Sequence, residues 1–174
     1  MRRDGGFTLL ELLMVVAIIG TIAAIVVPSL LQARLAGNEA SAIGSLRAIN
    51  SAEATFAASC GKGSYAQTLA DLYTPPPGAG TGFISADLFT NGVLKSGYLV
   101  NLAANAGAVE LLAADAACNA NAAATVSSYF AEAHPQTPGR SGQRSFATDT
   151  RASIYFLSTG TAIPVGMAGT SVLQ

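Results

Sequence analysis

Between Glu11 and Arg34 the chain has no charged residue. Within that gap the run LLMVVAIIGTIAAIVVPSLL, residues 12–31, is 20 residues long and almost wholly apolar. As a helix it extends about 30 Å, the thickness of a bilayer core. No globular domain of ordinary size hides such a helix on every side, so the run predicts a membrane span or a helix packed among other helices. Arg2 and Arg3 precede the span, which orients the N-terminus toward the cytoplasm and exports the remainder.

The leader is unusual for an exported chain. A secretory signal has a shorter apolar region with small residues after it. Here the small residues, Gly5 and Gly6, come before the apolar region. A cut there leaves the membrane helix attached to the exported part. Gly6 lacks a side chain, so an extended backbone at this point can approach a protease closely. Thr8-Leu9-Leu10-Glu11 fits the S/T-x-x-E capping pattern, and a carboxylate in the first turn suits the helix dipole. Capping leaves the depth of Glu11 unexplained, because an ionised carboxylate near hydrocarbon costs a few kcal/mol without a partner (~3 kcal/mol at the centre of a span).

These residues resemble the class III signal of type IV prepilins and type II secretion pseudopilins: Gly-Phe-Thr-Leu-x-Glu followed by about 20 apolar residues. The resemblance covers residues 5 to 56. It implies cleavage after Gly6 by a dedicated membrane aspartyl peptidase, which also N-methylates the new N-terminus, Phe7. It implies that Phe7, Thr8 and Glu11 serve assembly, the Phe7 amine of one subunit meeting Glu11 of another. Gly20 and Pro28 fall where many relatives loosen this helix; Pro28 lacks a backbone N–H and crowds the preceding turn. The segment RSFATDTRASIYF, residues 144–156, is similar to a stretch in some bacterial pilin-like proteins. The implied partners are copies of the same chain, the inner membrane, the prepilin peptidase/methyltransferase, and an assembly platform with its ATPase. The implied location is the inner membrane, single-pass, before assembly, and a cell-surface or periplasm-spanning filament afterwards.

Beyond the span, Leu35, Ala42, Ile49 and Phe56 recur every seven positions, with Ile43 and Leu46 near the same stripe. This predicts an amphipathic continuation over 34–60, ending at the glycine of CGKGS. From residue 7 to 59 the helix extends about 80 Å. Residues 61–174 are domain-sized. A short helix is expected in 64–73, a loop over 74–82, and strands over 97–102, 126–133, 144–148 and 152–157, with Asp149-Thr150 as a tight turn. Residues 103–124, rich in Ala and Asn, read as a surface insert with a helical turn in VELLAAD. The resulting expectation is an α+β fold, with the outer helix half packed on a small antiparallel sheet. The division is a 1–6 leader, a 7–33 membrane helix, its 34–60 continuation and a 61–174 domain.

Cys60 and Cys118 both lie in the exported part, where a disulfide forms readily and closes a loop worth about 4 kcal/mol; two free thiols are the alternative. With nine Lys/Arg, ten Asp/Glu and net charge −1 there is no basic surface for nucleic acid. Enzyme signatures are lacking. His134 reads as a loop residue at a strand end. Gly61-Lys62-Gly63-Ser64 lacks the spacing of a phosphate loop, and no GxSxG occurs. Asp71, Asp87, Asp115 and Asp149 are scattered, without metal-loop spacing. Tyr65, Tyr73, Tyr98, Tyr129 and Tyr155 read as core or rim aromatics. No cofactor or metal site is expected. The reading is a structural filament subunit, pilus-like in preference to a pseudopilin because the domain is rich in small residues and has no clear calcium loop. A membrane-anchored sensor or binding domain that does not polymerise is the rival from another class.

Overall fold

The structure is a computed structural model that describes residues 7–173. It divides into two units, Met1–Arg34 and Leu35–Gln174. One helix, α1 (Leu9–Ser59), runs through the boundary. Pro28 sits inside it, so neither Pro28 nor Gly20 interrupts the helix. In the first unit the large apolar side chains are exposed, from Phe7 at 86% to Leu31 at 55%. Each such side chain gains about 1.5–3 kcal/mol on leaving water. Thr21 and Ser29 return their hydroxyls to the carbonyls of Ile18 and Val26, so neither carries an unpaired donor.

In the second unit α1 buries Ala42, Ser45, Leu46, Ile49, Ala52, Glu53 and Phe56. The stripe expected from the sevenfold spacing is present from Ala42 to Phe56, widened by Ser45, Ala52 and Glu53, while Leu35 is only half-buried. The helix stops where Gly61 N–H donates to the Phe56 carbonyl at 2.7 Å and Gly63 N–H to Ala57 at 2.9 Å. Gly63 has φ +91°, a conformation that glycine adopts freely.

The stripe packs on a six-stranded antiparallel sheet of order β1-β2-β5-β6-β7-β8. The strands are β1 (Val93–Lys95), β2 (Tyr98–Ala104), β5 (Tyr129–Pro135), β6 (Ser145–Asp149), β7 (Tyr155–Leu157) and β8 (Ser171–Val172). The remaining two, β3 (Glu110–Leu112) and β4 (Thr125–Val126), form a separate hairpin. Alternate residues serve opposite faces. Tyr98, Val100, Leu102, Ala131, Ala133 and Phe146 join the core with α1, whereas Phe130 and Ala147 pack under Ile163 and Met167. The expected α+β arrangement is therefore observed.

Several elements differ from expectation. The helix expected in 64–73 shortens to α2 (Leu69–Tyr73) because Tyr65 exchanges two backbone hydrogen bonds with Val126. The strand expected over 126–133 divides into β4 and β5, which belong to different sheets. VELLAAD forms no helical turn: Glu110–Leu112 is strand, and Leu112 N–H donates to the Thr125 hydroxyl. Residues 152–157 yield only Tyr155–Leu157 as strand. Asp149 ends β6, and its carbonyl accepts from Ala152 N–H at 2.8 Å, closing the turn. Strands β1 and β8 have no counterpart in the sequence reading. His134 lies within β5 rather than in a loop.

Cys60 and Cys118 form a disulfide across a sequence separation of 58. It ties the end of α1 to the insert. Asn119 adds a hydrogen bond to the Asp71 carbonyl, and Asp71 accepts from Ala122 N–H at 2.8 Å. At the other end of the domain half, Glu39 takes Arg144 Nη2 at 2.7 Å and Nε at 3.0 Å, plus the N–H groups of Gln143 and Arg144. Burial alone would raise the Glu39 carboxyl, but the Arg144 guanidinium and these N–H bonds outweigh it and hold it below the ordinary range.

Candidate functional site

The start of α1 is built as a reciprocal cap. Thr8 N–H and Thr8 Oγ1 both donate to Glu11 Oε2, at 3.0 and 2.8 Å. Glu11 N–H returns a bond to Thr8 Oγ1 at 3.2 Å. The pattern satisfies donors that a helix N-terminus leaves free. Glu11 therefore has a local role within one chain, as its spacing from Thr8 implied. Both bonds fall on one oxygen, and Oε1 takes part in neither. Phe7 precedes the cap with its ring almost fully exposed. Gly5 and Gly6, the expected processing positions, lie outside the described residues.

After the cap comes the one helix among the described residues that is long and apolar enough to cross a membrane. A capped start, a carboxylate in the first turn and an apolar surface thus follow one another within a few turns. Residues 1–27 match the family model for the prokaryotic N-terminal methylation motif. The chain carries that motif. It is the class III prepilin signal of type IV pilins and pseudopilins. Comparison with curated proteins and with solved structures finds no match. The methylation motif spans the cap, Glu11, Gly20 and most of the apolar run, but not Pro28 or the domain. Motif and apolar helix together fit a membrane-anchored precursor.

Among the described residues, no group of three or more His, Cys, Asp or Glu side chains is placed to hold a metal ion. An open groove of about 470 Å³ beside α2 is lined by Tyr73, Pro75, Phe83, Ile84 and neighbours, without an acid–base pair. Asp71 caps α2 through Thr68, Asp87 pairs with Lys95, and Asp149 pairs with Arg151. Tyr98 and Tyr129 are core residues whose hydroxyls bond Arg144 O and Asn50 Oδ1; Tyr65 and Tyr155 lie at its margin and Tyr73 is exposed. Burial pushes both buried phenols above their ordinary value.

Two arrangements escaped the sequence reading. His134 Nδ1 lies 2.9 Å from Glu132 Oε2, and Asn101 donates to Glu132 Oε1 at 2.6 Å, which leaves the carboxylate well partnered on the sheet face away from α1. Glu53 is fully buried on the α1 stripe. Its position was readable, because 46, 49, 53 and 56 share helical spacing. Its burial depends on what packs opposite, which no local pattern reveals.

Proposed function

We propose that this chain is the precursor of a structural subunit of a type IV pilus-like filament and is not an enzyme. It is cut after Gly6 by a prepilin peptidase, N-methylated on Phe7, and drawn from the inner membrane into a helical polymer. The leader is 1–6, the span and later filament core 7–33, the continuation 34–60 and the outer domain 61–174. One observation carries the reading: a methylation motif runs directly into a helix whose apolar side chains are exposed on all sides. Such a surface calls for lipid before assembly and for other helices afterwards. Arg2 and Arg3, ahead of the apolar run in the sequence, support an N-terminus on the cytoplasmic side. Work comes from a separate ATPase on an assembly platform, since the chain has no nucleotide motif.

Glu11 is the register element. Among the described residues its local cap brings no cation to the charge, and the methylated Phe7 amine of a neighbouring subunit supplies one when helices pack with an axial stagger. Gly20 and Pro28 allow the helix to stretch within the polymer. The methylation motif is shared with type II secretion pseudopilins, so a pseudopilus subunit is the second reading.

Shearing cells that express the chain together with a prepilin peptidase and an assembly system tests the proposal. The expected result is filaments containing this chain. A chain that stays in the membrane fraction as an uncut anchor contradicts it and favours an anchored sensor or binding domain.

A further inference from the structure

Two glutamates on the domain half of α1 are treated in opposite ways. Glu39 has a guanidinium and two backbone N–H groups. Glu53 is 0% exposed and receives one hydrogen bond, from Ala66 N–H to Oε2 at 3.0 Å. Its Oε1 has no partner. Among the described residues no lysine, arginine or histidine pairs with it. The groups that face it are Asp71 from α2 and Tyr129 from β5. Tyr65, from the segment after α1, packs on Tyr129 at 5.1 Å, and Asp149 from β6 acts on the same phenol while paired to Arg151. None of the groups facing Glu53 is a cation.

An ionised carboxyl in this position has lost its water, keeps a single donor and stands near a second carboxylate. That combination costs more than one hydrogen bond returns. The cost is relieved if Ala66 leaves and water enters. Ala66 belongs to the segment 61–73, and that segment carries the insert with it. Ser64 bonds Thr125, Gln67 bonds the Ala124 carbonyl, and Asp71 holds Ala122. The disulfide at Cys60 and Cys118 keeps both attached to α1 whatever happens at Glu53.

We propose that Glu53 is the pH-sensing element of a latch, closed when its carboxyl is protonated against Ala66 and opened when the carboxyl ionises, with segment 61–73 and the insert 113–124 as the moving part and the disulfide as its tether. Burial, only partly offset by the Ala66 N–H and reinforced by Asp71, pushes the closed-state carboxyl up to about 8, against an ordinary 4.5. The closed form holds the proton through that window and the open form does not. Closure therefore weakens about tenfold per pH unit between those values, and is constant above them. Acid tightens the latch.

Amide hydrogen exchange of the full chain in detergent micelles, measured from pH 5.5 to 7.5 and corrected for intrinsic rates, tests this. Protection of the Ala66 and Ala122 amides is expected to fall about tenfold per pH unit, while amides of β2 and β5 hold steady. In Glu53→Gln the pH dependence at Ala66 and Ala122 is expected to vanish. The same slope in Glu53→Gln, or parallel loss of protection in β2 and β5, overturns the latch. If Glu53→Gln does not fold, the side-chain carboxyl carbon of Glu53 is titrated by NMR in the unaltered chain. A midpoint raised above the ordinary carboxylate range, with the Ala66 and Ala122 amide signals moving at the same pH, supports the proposal; a midpoint in the ordinary range, or a raised one with those amides unmoved, overturns it.

Discussion

Glu11 serves the helix and, in the proposed filament, its neighbour, and these roles separate chemically. A glutamine keeps the capping geometry with Thr8 but removes the charge. Glu11→Gln is expected to insert, to be processed, and to yield few filaments on shearing; normal yield would remove the register role. Loss of the cap itself, as in Thr8→Ala, costs about 1 kcal/mol of helix stability and leaves the charge in place, so its effect on yield is expected to be smaller. Glu39 gives a second residue-scale expectation. Its carboxyl is held below the ordinary range, so its stabilising contribution is fully present above about pH 4.5 and is lost as the pH falls through the folded-state value. Arg144→Ala removes the guanidinium and its stacking over Phe146 and Phe156. Arg144 is partly exposed, so the expected loss is about 1–3 kcal/mol by denaturant melting, with the acid limb of the stability curve flattened.

At the scale of elements, α1 was legible because its signals are local and repeated. The spacing of Ala42, Ile49 and Phe56 predicted the buried face, and CGKGS predicted the stop. The methylation motif was legible for the same reason: it is one short linear pattern running into an apolar stretch, within residues 1–27. The hairpin of β1 and β2 was equally readable and was missed. Ser96 and Gly97 both have positive φ, and Lys95 pairs with Tyr98 across them, which is the two-residue turn that a Ser-Gly step favours. The insert is a different case. VELLAAD has helix-forming composition, yet β4 supplies a strand partner and the disulfide, Asn119 and Asp71 hold the following residues in irregular backbone. Tertiary contacts outweigh propensity there. Those contacts make the insert depend on its tether. Cys118→Ser, or reduction of the chain, is expected to lower domain stability by about 4 kcal/mol in the chain-entropy account. Thermal melting with and without reductant measures it, and an unchanged midpoint would show that the hydrogen bonds of Asn119 and Asp71 suffice.

For the whole molecule, the two units treat their apolar side chains in opposite ways. The second buries a core of its own between α1 and the sheet. The first presents apolar side chains outward and carries the N-terminal methylation motif. In the proposed filament the precursor ends its life as a shorter, methylated chain. Intact mass of the protein recovered after co-expression with a prepilin peptidase tests it most directly. Loss of residues 1–6 together with the gain of one methyl group on Phe7 is the predicted result, absent without the peptidase. An unchanged full-length mass in the presence of active peptidase would contradict the account.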